Sequence, residues 1–309
     1  MYHNSCFLLK FHPIKRIRDM NQTFFTIGGV PEHFNLPWYQ AIEKGLFEQQ
    51  GLQVSWTDYP GGTGAMTRDL RSGHLDVAVL LTEGIVADIV NGNPSKIIQV
   101  YVDSPLLWGI HVPAGSTFQS ADELAGKRYA ISRMGSGSHL MAFVDARRRG
   151  WDPAALELVL VGGLDGAREA FRNGQADAFM WEKFMTKPLV DAGEFRRVGE
   201  TPTPWPCFVI AARQEVIDQK GPALQKLLAV INQTARSFQQ APAEALPLVS
   251  ARFHLQAQDA QTWFAATRWA AGGQVSRAMI GEVIETLYDL KIIEDKPEPA
   301  DLIADAGTL

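Results

Sequence analysis

Two glutamates, Glu83 and Glu182, each follow a short apolar run, and the same pattern introduces both runs. In the first copy Arg71-Ser72-Gly73-His74-Leu75-Asp76-Val77-Ala78 leads to Glu83; in the second Arg172-Asn173-Gly174-Gln175-Ala176-Asp177-Ala178-Phe179 leads to Trp181-Glu182. The pattern reads as a helix stopped by glycine, an aspartate, a buried strand and then a carboxylate. Strand ends at the carboxyl edge of a sheet are where α/β proteins hold ligands. Carboxylates buried there without partners must pair or protonate. A ligand with N–H donors or positive charge removes that cost, each hydrogen bond to a charged acceptor giving roughly 1.5–3 kcal/mol. The alternative for either glutamate is a solvated loop position.

Two loops could complete such a site. Pro60-Gly61-Gly62-Thr63-Gly64 and Ser132-Arg133-Met134-Gly135-Ser136-Gly137-Ser138 each run into a helix. Backbone N–H groups and the positive end of a helix favour an anion or polar acceptor. Gly62, Thr63, Ser132, Ser136 and Ser138 are therefore candidate ligand contacts, with plain capping by Thr63 and Ser138 as the alternative. Neither loop has the lysine and spacing of a P-loop, which argues against nucleoside triphosphates. His33, just after the first apolar run, is either a contact or a packing histidine. Trp38, Trp108, Trp181 and Trp205 fall at cleft or crossing positions, where they stack on a flat ring or simply fill core. Asp103 and Ser104 either touch ligand or brace a hinge. No Gly-x-Ser-x-Gly elbow, His-Glu-x-x-His or dinucleotide fingerprint occurs. Glu83 and Glu182 could form an acid–base pair, but the sequence does not set their separation. No catalytic residue, metal ligand or cofactor is assigned.

The elements that must position these residues alternate. Strands are expected over residues 24–28, 52–59, 77–81 and 97–102, with helices over 38–47, 65–72 and 83–91 between them. Such alternation indicates βαβ units and a parallel sheet. At Tyr101-Val102-Asp103-Ser104-Pro105-Leu106-Leu107-Trp108 the chain leaves this first lobe. A second lobe follows, with strands over 109–112, 124–132, 156–161 and 178–181. Residues 198–206 cross back, 208–212 rejoin the first lobe, and the remainder is helical. The expected architecture is α/β: two Rossmann-like lobes joined by two crossing strands. Residues 23–103 plus 207–309 form the first lobe and 104–206 the second.

Composition narrows the function. A chain of 309 residues with 46% hydrophobic and 20% charged residues has room for two ordinary cores. A net charge of -5 argues against a nucleic-acid platform. No apolar run approaches the roughly 18 residues of a membrane span. Cys6 and Cys207 alone build no disulfide framework or cysteine zinc site. Lys10, Lys15, Arg16 and Arg18 make the start basic, yet no long apolar region or small-residue cleavage site follows. Residues 1–22 are expected to be a disordered leader, or to result from a start placed ahead of Met20.

Residues 26–303 resemble a type 2 periplasmic-binding protein. More narrowly, they resemble the branch of alkanesulfonate and taurine binders and thiamine-pyrimidine-synthase-like proteins, in a subgroup with members in bacteria and fungi. The resemblance is carried by Pro31-Glu32-His33-Phe34, Gly62-Thr63-Gly64-Ala65-Met66-Thr67, Leu81-Thr82-Glu83-Gly84, Tyr101-Val102-Asp103-Ser104-Pro105-Leu106, the Ile131 to Ser138 loop, Ala176-Asp177-Ala178-Phe179-Met180-Trp181-Glu182, and Pro202-Thr203-Pro204-Trp205-Pro206. It implies a ligand between two lobes that close by hinge motion. It also implies that Thr63, Glu83, Ser132, Ser136, Ser138 and Glu182 stand where relatives touch ligand. Pyrimidine synthases of the branch carry a cysteine-rich motif and a lysine that holds pyridoxal phosphate; this chain has neither at the matching places. Transporter-linked members imply ABC-transporter membrane subunits as partners and a periplasmic location, whereas the start has no recognisable export signal, as in cytoplasmic members. The expectation is a non-enzymatic solute-binding protein for a small polar, nitrogen-bearing ligand such as a pyrimidine or thiamine precursor. The alternatives are an enzyme or a cytosolic sensor of that metabolism on the same scaffold.

Overall fold

A computed structural model describes residues 22–272 and 274–305. The expected leader, apart from Gln22, lies outside them. Two five-stranded sheets organise the chain. The first contains β1(Thr23–Gly29), β2(Leu52–Asp58), β3(Val77–Leu81), β4(Ser95–Val102) and β10(Phe208–Arg213), in the order β2-β1-β3-β10-β4. The second contains β5(Leu107–Pro113), β6(Arg128–Ile131), β7(Glu157–Leu160), β8(Ala178–Glu182) and β9(Phe195–Pro202), in the order β7-β6-β8-β5-β9. Apolar β3, with Val77 to Leu80 fully buried, shows why this run carries no polar alternation: both of its faces are covered.

Each sheet is mixed rather than parallel. β10 runs antiparallel to β3 and β4, and β5 runs antiparallel to β8 and β9. The reason is the crossing itself. β4 and β9 both run toward the cleft, and the chain passes directly to the other lobe. The arriving strand, β5 or β10, therefore starts at the cleft and runs away from it. The βαβ strands β1, β2 and β3, and likewise β6, β7 and β8, stay parallel.

Helices α2(Thr63–Ser72) and α3(Thr82–Val90) flank the first sheet, and α4(Gly137–Arg148) and α5(Leu164–Arg172) the second. Short α6(Lys187–Asp191) follows β8. α2 ends at Gly73, which adopts φ +80°, a left-handed cap that favours glycine. After that turn Asp76 pins the start of β3 to β1: its carboxylate accepts from Thr26 N at 3.2 Å and its own N–H donates to Thr26 O at 3.0 Å. The remaining helices, α1(Leu36–Glu43), α7(Gln214–Gln240), α8(Pro242–Phe253), α9(Ala257–Ala266) and α10(Arg277–Asp289), pack on the first lobe. α7 is kinked at Lys220, just before Pro222. Among the described residues no helix is long and apolar enough to cross a membrane.

Candidate functional site

The carboxyl ends of β1 and β3 face those of β6 and β8 across a cavity of about 350 Å³. Its first wall comes from residues 30–32, 59–63 and Leu81. Its second comes from Trp108, the 132–138 loop, residues 163–166, and Trp181 with Glu182. Of the residues singled out from sequence, Gly62, Thr63, Ser132, Ser136, Ser138, Trp181 and Glu182 line it. Trp108 lines it too, only 4% exposed, and its indole N–H has no partner among the described residues.

Glu182 is the last residue of β8 and is 3% exposed. The chain turns sharply after it, so the backbone N–H groups of Phe184 and Met185 donate to its Oε2 at 2.8 and 2.6 Å. His33 Nε2 from the first lobe lies 3.4 Å from the same oxygen. Oε1 accepts no hydrogen bond from the described residues. One oxygen is thus fixed by the protein and the other is left for something else.

The hydroxyls are already engaged. Thr63 Oγ1 accepts from Leu81 N at 3.2 Å, tying α2 to the end of β3. Ser136 Oγ caps α4 by accepting from His139 N at 3.3 Å. Ser138 Oγ accepts from Ser132 N at 3.0 Å and lies 3.0 Å from Ser136 Oγ. These side chains build the loops that form the walls; the expected capping by Thr63 and Ser138 is not found, since α2 has Gly62 as its N-cap with no side-chain hydrogen bond and Ser136 caps α4.

Six of the candidates lie elsewhere. Glu83 does not line the cavity. It sits in the first turn of α3, fully buried, and Trp205 Nε1 donates to its Oε2 at 2.8 Å. Burial pushes the Glu83 carboxyl up to about 7, against the lowering pull of the backbone N–H and of Trp205. Trp205 is buried beside it, behind the wall. β3 ends at Leu81, so Leu81 takes the cavity position and the helix carries Glu83 inward. His33 is fully buried among Phe34, Phe253 and Trp263, with ring centroids at 4.7, 5.3 and 4.3 Å. It supports Glu182 from behind. Asp103 is half-buried and pairs with Arg268 at 2.8 Å, bracing the crossing segment. Ser104 braces it as well, accepting from Arg268 N at 3.1 Å. Trp38 is core, stacked on Phe47 at 5.8 Å.

Among the cavity residues that the sequence reading did not single out, two matter most to its electrostatics. Glu32, three residues after β1, lines the first wall, and its carboxylate accepts no hydrogen bond and meets no cation among the described residues. Burial, then the nearby Glu182 carboxylate, pushes it up to about 8. Its signal was available: it follows an apolar strand at the same carboxyl edge as His33. Arg133 is the second. Its Nη1 donates to Gly61 O at 3.3 Å, joining the second lobe to the first, and it packs over Gly64 at the start of α2. Desolvation and the charge of Arg68 lower its affinity for its proton. Among the described residues no cluster of His, Cys, Asp and Glu could hold a metal ion.

Comparison with known proteins agrees with this architecture. A family model described as Ca3427-like PBP, a periplasmic-binding-protein class, matches residues 108–201. The Candida albicans CA3427 gene product, described as defining a new family with the generic periplasmic binding protein fold, is 26% identical. That alignment covers 89% of this chain and 92% of that one, with a TM-score of 0.82. The alkanesulfonate-binding protein SsuA from Xanthomonas axonopodis pv. citri, bound to MOPS, is 18% identical over 93% of this chain and 99% of that one, with a TM-score of 0.80. The periplasmic nitrate-binding protein NrtA from Synechocystis is 13% identical over 91% and 84%, with a TM-score of 0.68. No curated protein sequence matches.

Proposed function

We propose that this chain, a member of the type 2 periplasmic-binding-protein-like family, is a non-enzymatic binder that closes its lobes on a small, flat, nitrogen-bearing ligand. The observation that carries this reading is Glu182: a buried carboxylate with one oxygen fixed by backbone and the other open to a cavity walled by both lobes. Trp108 and Trp181 offer ring faces, and the Trp108 N–H offers a donor. Shifting a lobe pair from 1:99 to 99:1 takes about 5.5 kcal/mol of differential binding. One charge-assisted contact of roughly 1.5–3 kcal/mol, with stacking and apolar burial added, is of that order.

The ligands named for the relatives, sulfonate and nitrate, are anions. A cavity with carboxylates on both walls is built for a different charge, which favours an amino-substituted ring such as a pyrimidine or thiamine precursor. None of those relatives is named for a pyrimidine, so the ring assignment rests on this cavity alone. In a transporter, the closed form would be the one presented to ABC membrane subunits. Among the described residues no lysine or cysteine lines the cavity, so none there could hold pyridoxal phosphate covalently, and the enzyme alternative gains no support.

The test is calorimetric titration with 4-aminopyrimidine for the wild type and Glu182→Gln. The amide oxygen of the substituted side chain still accepts from the N–H groups of Phe184 and Met185, so melting should change little. The dissociation constant should rise about 10- to 100-fold, the equivalent of one charged hydrogen bond. An unchanged constant removes Glu182 from the site and the reading with it.

A further inference from the structure

We propose that the cleft takes its ligand as a cation, and releases in exchange a proton that Glu32 holds against Glu182. The inference deepens the binding reading and rests on it. Both carboxyl groups line one cavity, Glu32 from the first lobe and Glu182 from the second. Glu182 Oε2 is committed to the N–H groups of Phe184 and Met185, while its Oε1 and the whole Glu32 carboxylate have no protein donor among the described residues.

The surrounding charges do not balance the pair. Arg133 is the one cation lining the cavity among the described residues. Its guanidinium is turned to Gly61 O and the start of α2. Asp165, at the start of α5, adds a further negative charge and bonds to Arg168 at 3.3 Å. Behind the wall lie Glu83 and Cys207; burial, with the added charges of Glu83, Glu182 and Glu32, pushes the Cys207 thiol far up. His33 Nε2 contacts Glu182 Oε2 at 3.4 Å. The Tyr59 hydroxyl donates to Asp69 rather than to either glutamate. Two carboxylates lining one partly dehydrated cavity ionise together only at a cost that a cation between them removes. The rise of Glu32 to about 8 has this geometry as one of its causes.

The exchange balances simply: protonated Glu32 plus a cationic ligand gives Glu32 carboxylate paired with the ligand, and one proton enters water. Affinity for a permanent cation then rises with pH up to about 8, approaching tenfold per unit, and levels off above it. Affinity for a neutral ligand does not depend on pH in this way.

Benzamidinium and its neutral isostere benzamide supply the test, with methylguanidinium as a smaller cation and benzenesulfonate as the anion. All stay in one charge state from about pH 6 to 9. Calorimetry in buffers of different ionisation enthalpy counts the protons. The expected result is binding of a cation with close to one proton released at pH 7, weaker binding of benzamide, and none of benzenesulfonate. Glu32→Gln should lower cation affinity at least tenfold, abolish the pH slope and change benzamide affinity far less than that of the cation. Without ligand, the wild type should lose stability relative to Glu32→Gln as pH rises from 5 to 8.

Failure of both cations to bind, stronger binding of benzenesulfonate, or a Glu32→Gln variant with the wild-type pH slope would each overturn the proposal. If benzamide and benzamidinium bind equally with no proton released, the cation assignment falls while the binding reading stands. If Glu182→Gln leaves 4-aminopyrimidine binding intact, the binding reading itself has failed.

Discussion

The two copies of the glycine–aspartate unit agree at one end and part at the other. Away from the cleft they do the same work. Gly73 and Gly174 both take left-handed φ, +80° and +63°. Asp76 pins β3 to Thr26 of β1, and Asp177 pins β8 to Arg128 of β6: its carboxylate accepts from Arg128 N at 3.1 Å and its N–H donates to Arg128 O at 2.8 Å. Five residues past each aspartate the strand ends, at Leu81 in one lobe and Glu182 in the other, and both line the cavity. The glutamate of the first copy comes two residues later, inside α3. The repeat therefore specifies how a strand is anchored, and each lobe then supplies its own chemistry. In the first lobe the cavity carboxylate is Glu32, from the end of a different strand.

Glu83→Gln gives the largest expected separation between the two glutamates. Glu83 is fully buried and its carboxyl lies near 7, against 4.5 when unperturbed. A raised acid binds its proton more tightly when folded. Its stabilising contribution is therefore complete below about 4.5 and is lost as pH climbs through 7. Glutamine keeps an acceptor for Trp205 Nε1 and cannot ionise. Between pH 5 and pH 8 the variant should gain on the order of 3 kcal/mol relative to the wild type, read by urea unfolding at each pH. Its affinity for 4-aminopyrimidine should stay within about twofold, since Glu83 does not line the cavity. Parallel stability curves together with lost binding would make Glu83 the equal of Glu182 and break the comparison.

The strand and helix positions were legible because period and punctuation are local properties. Leu81 and Glu182 show where that legibility stops. Both runs end in an acid within seven residues of an aspartate, and only the actual strand end, where Leu81 pairs with Phe208 and Glu182 with Trp108, decides which acid reaches the cavity. Trp205 looked like a cleft residue because it lies in a crossing segment, but that segment passes behind the wall and its indole is spent on Glu83. Ser132, Ser136 and Ser138 were found as a loop beside the ligand space; that their hydroxyls bond chiefly to one another and to backbone was not visible in spacing alone. Mixed strand direction was missed because alternation of strands and helices says nothing about a strand that arrives from another lobe.

The aspartates offer a smaller contrast, within the end where the copies agree. Asp76 meets two cations, Arg213 at 3.1 Å and Lys220 at 3.0 Å, with its side chain 9% exposed. Asp177 pairs with Arg128 alone, at 2.7 Å, with its side chain 22% exposed. Arg128, through its guanidinium and its backbone N–H, holds the Asp177 carboxyl below the usual range. Asparagine keeps one acceptor but removes the charge. Asp76→Asn should cost about 2 kcal/mol and Asp177→Asn about 1, because the drier pair leaves more unpaired charge behind. Urea unfolding at pH 7 measures both. Equal losses would mean that shared geometry, and not burial, sets the value of the anchor.

Gly64→Ala carries the smallest expected effect and tests the cross-lobe contact most cleanly. A Cβ at Gly64 would meet Arg133 Nη2 at 1.7 Å and Cζ at 2.0 Å. Those atoms are the far end of a flexible side chain, so the guanidinium can swing away. Gly64 lies inside α2 with no left-handed φ, so alanine suits the backbone there and favours the helix by up to about 1 kcal/mol. Stability should therefore hold or rise slightly. What the variant loses is the Arg133 donation to Gly61 O across the cleft. That bond places a positive charge against the positive end of α2, so its net contribution is small. Small-angle scattering of the ligand-free variant should show a modest shift toward an open pair of lobes, and 4-aminopyrimidine affinity should fall less than about fivefold, under about 1 kcal/mol. A loss as large as that of Glu182→Gln would shift the weight of ligand capture from the carboxylate on the second wall to the arginine that spans the gap.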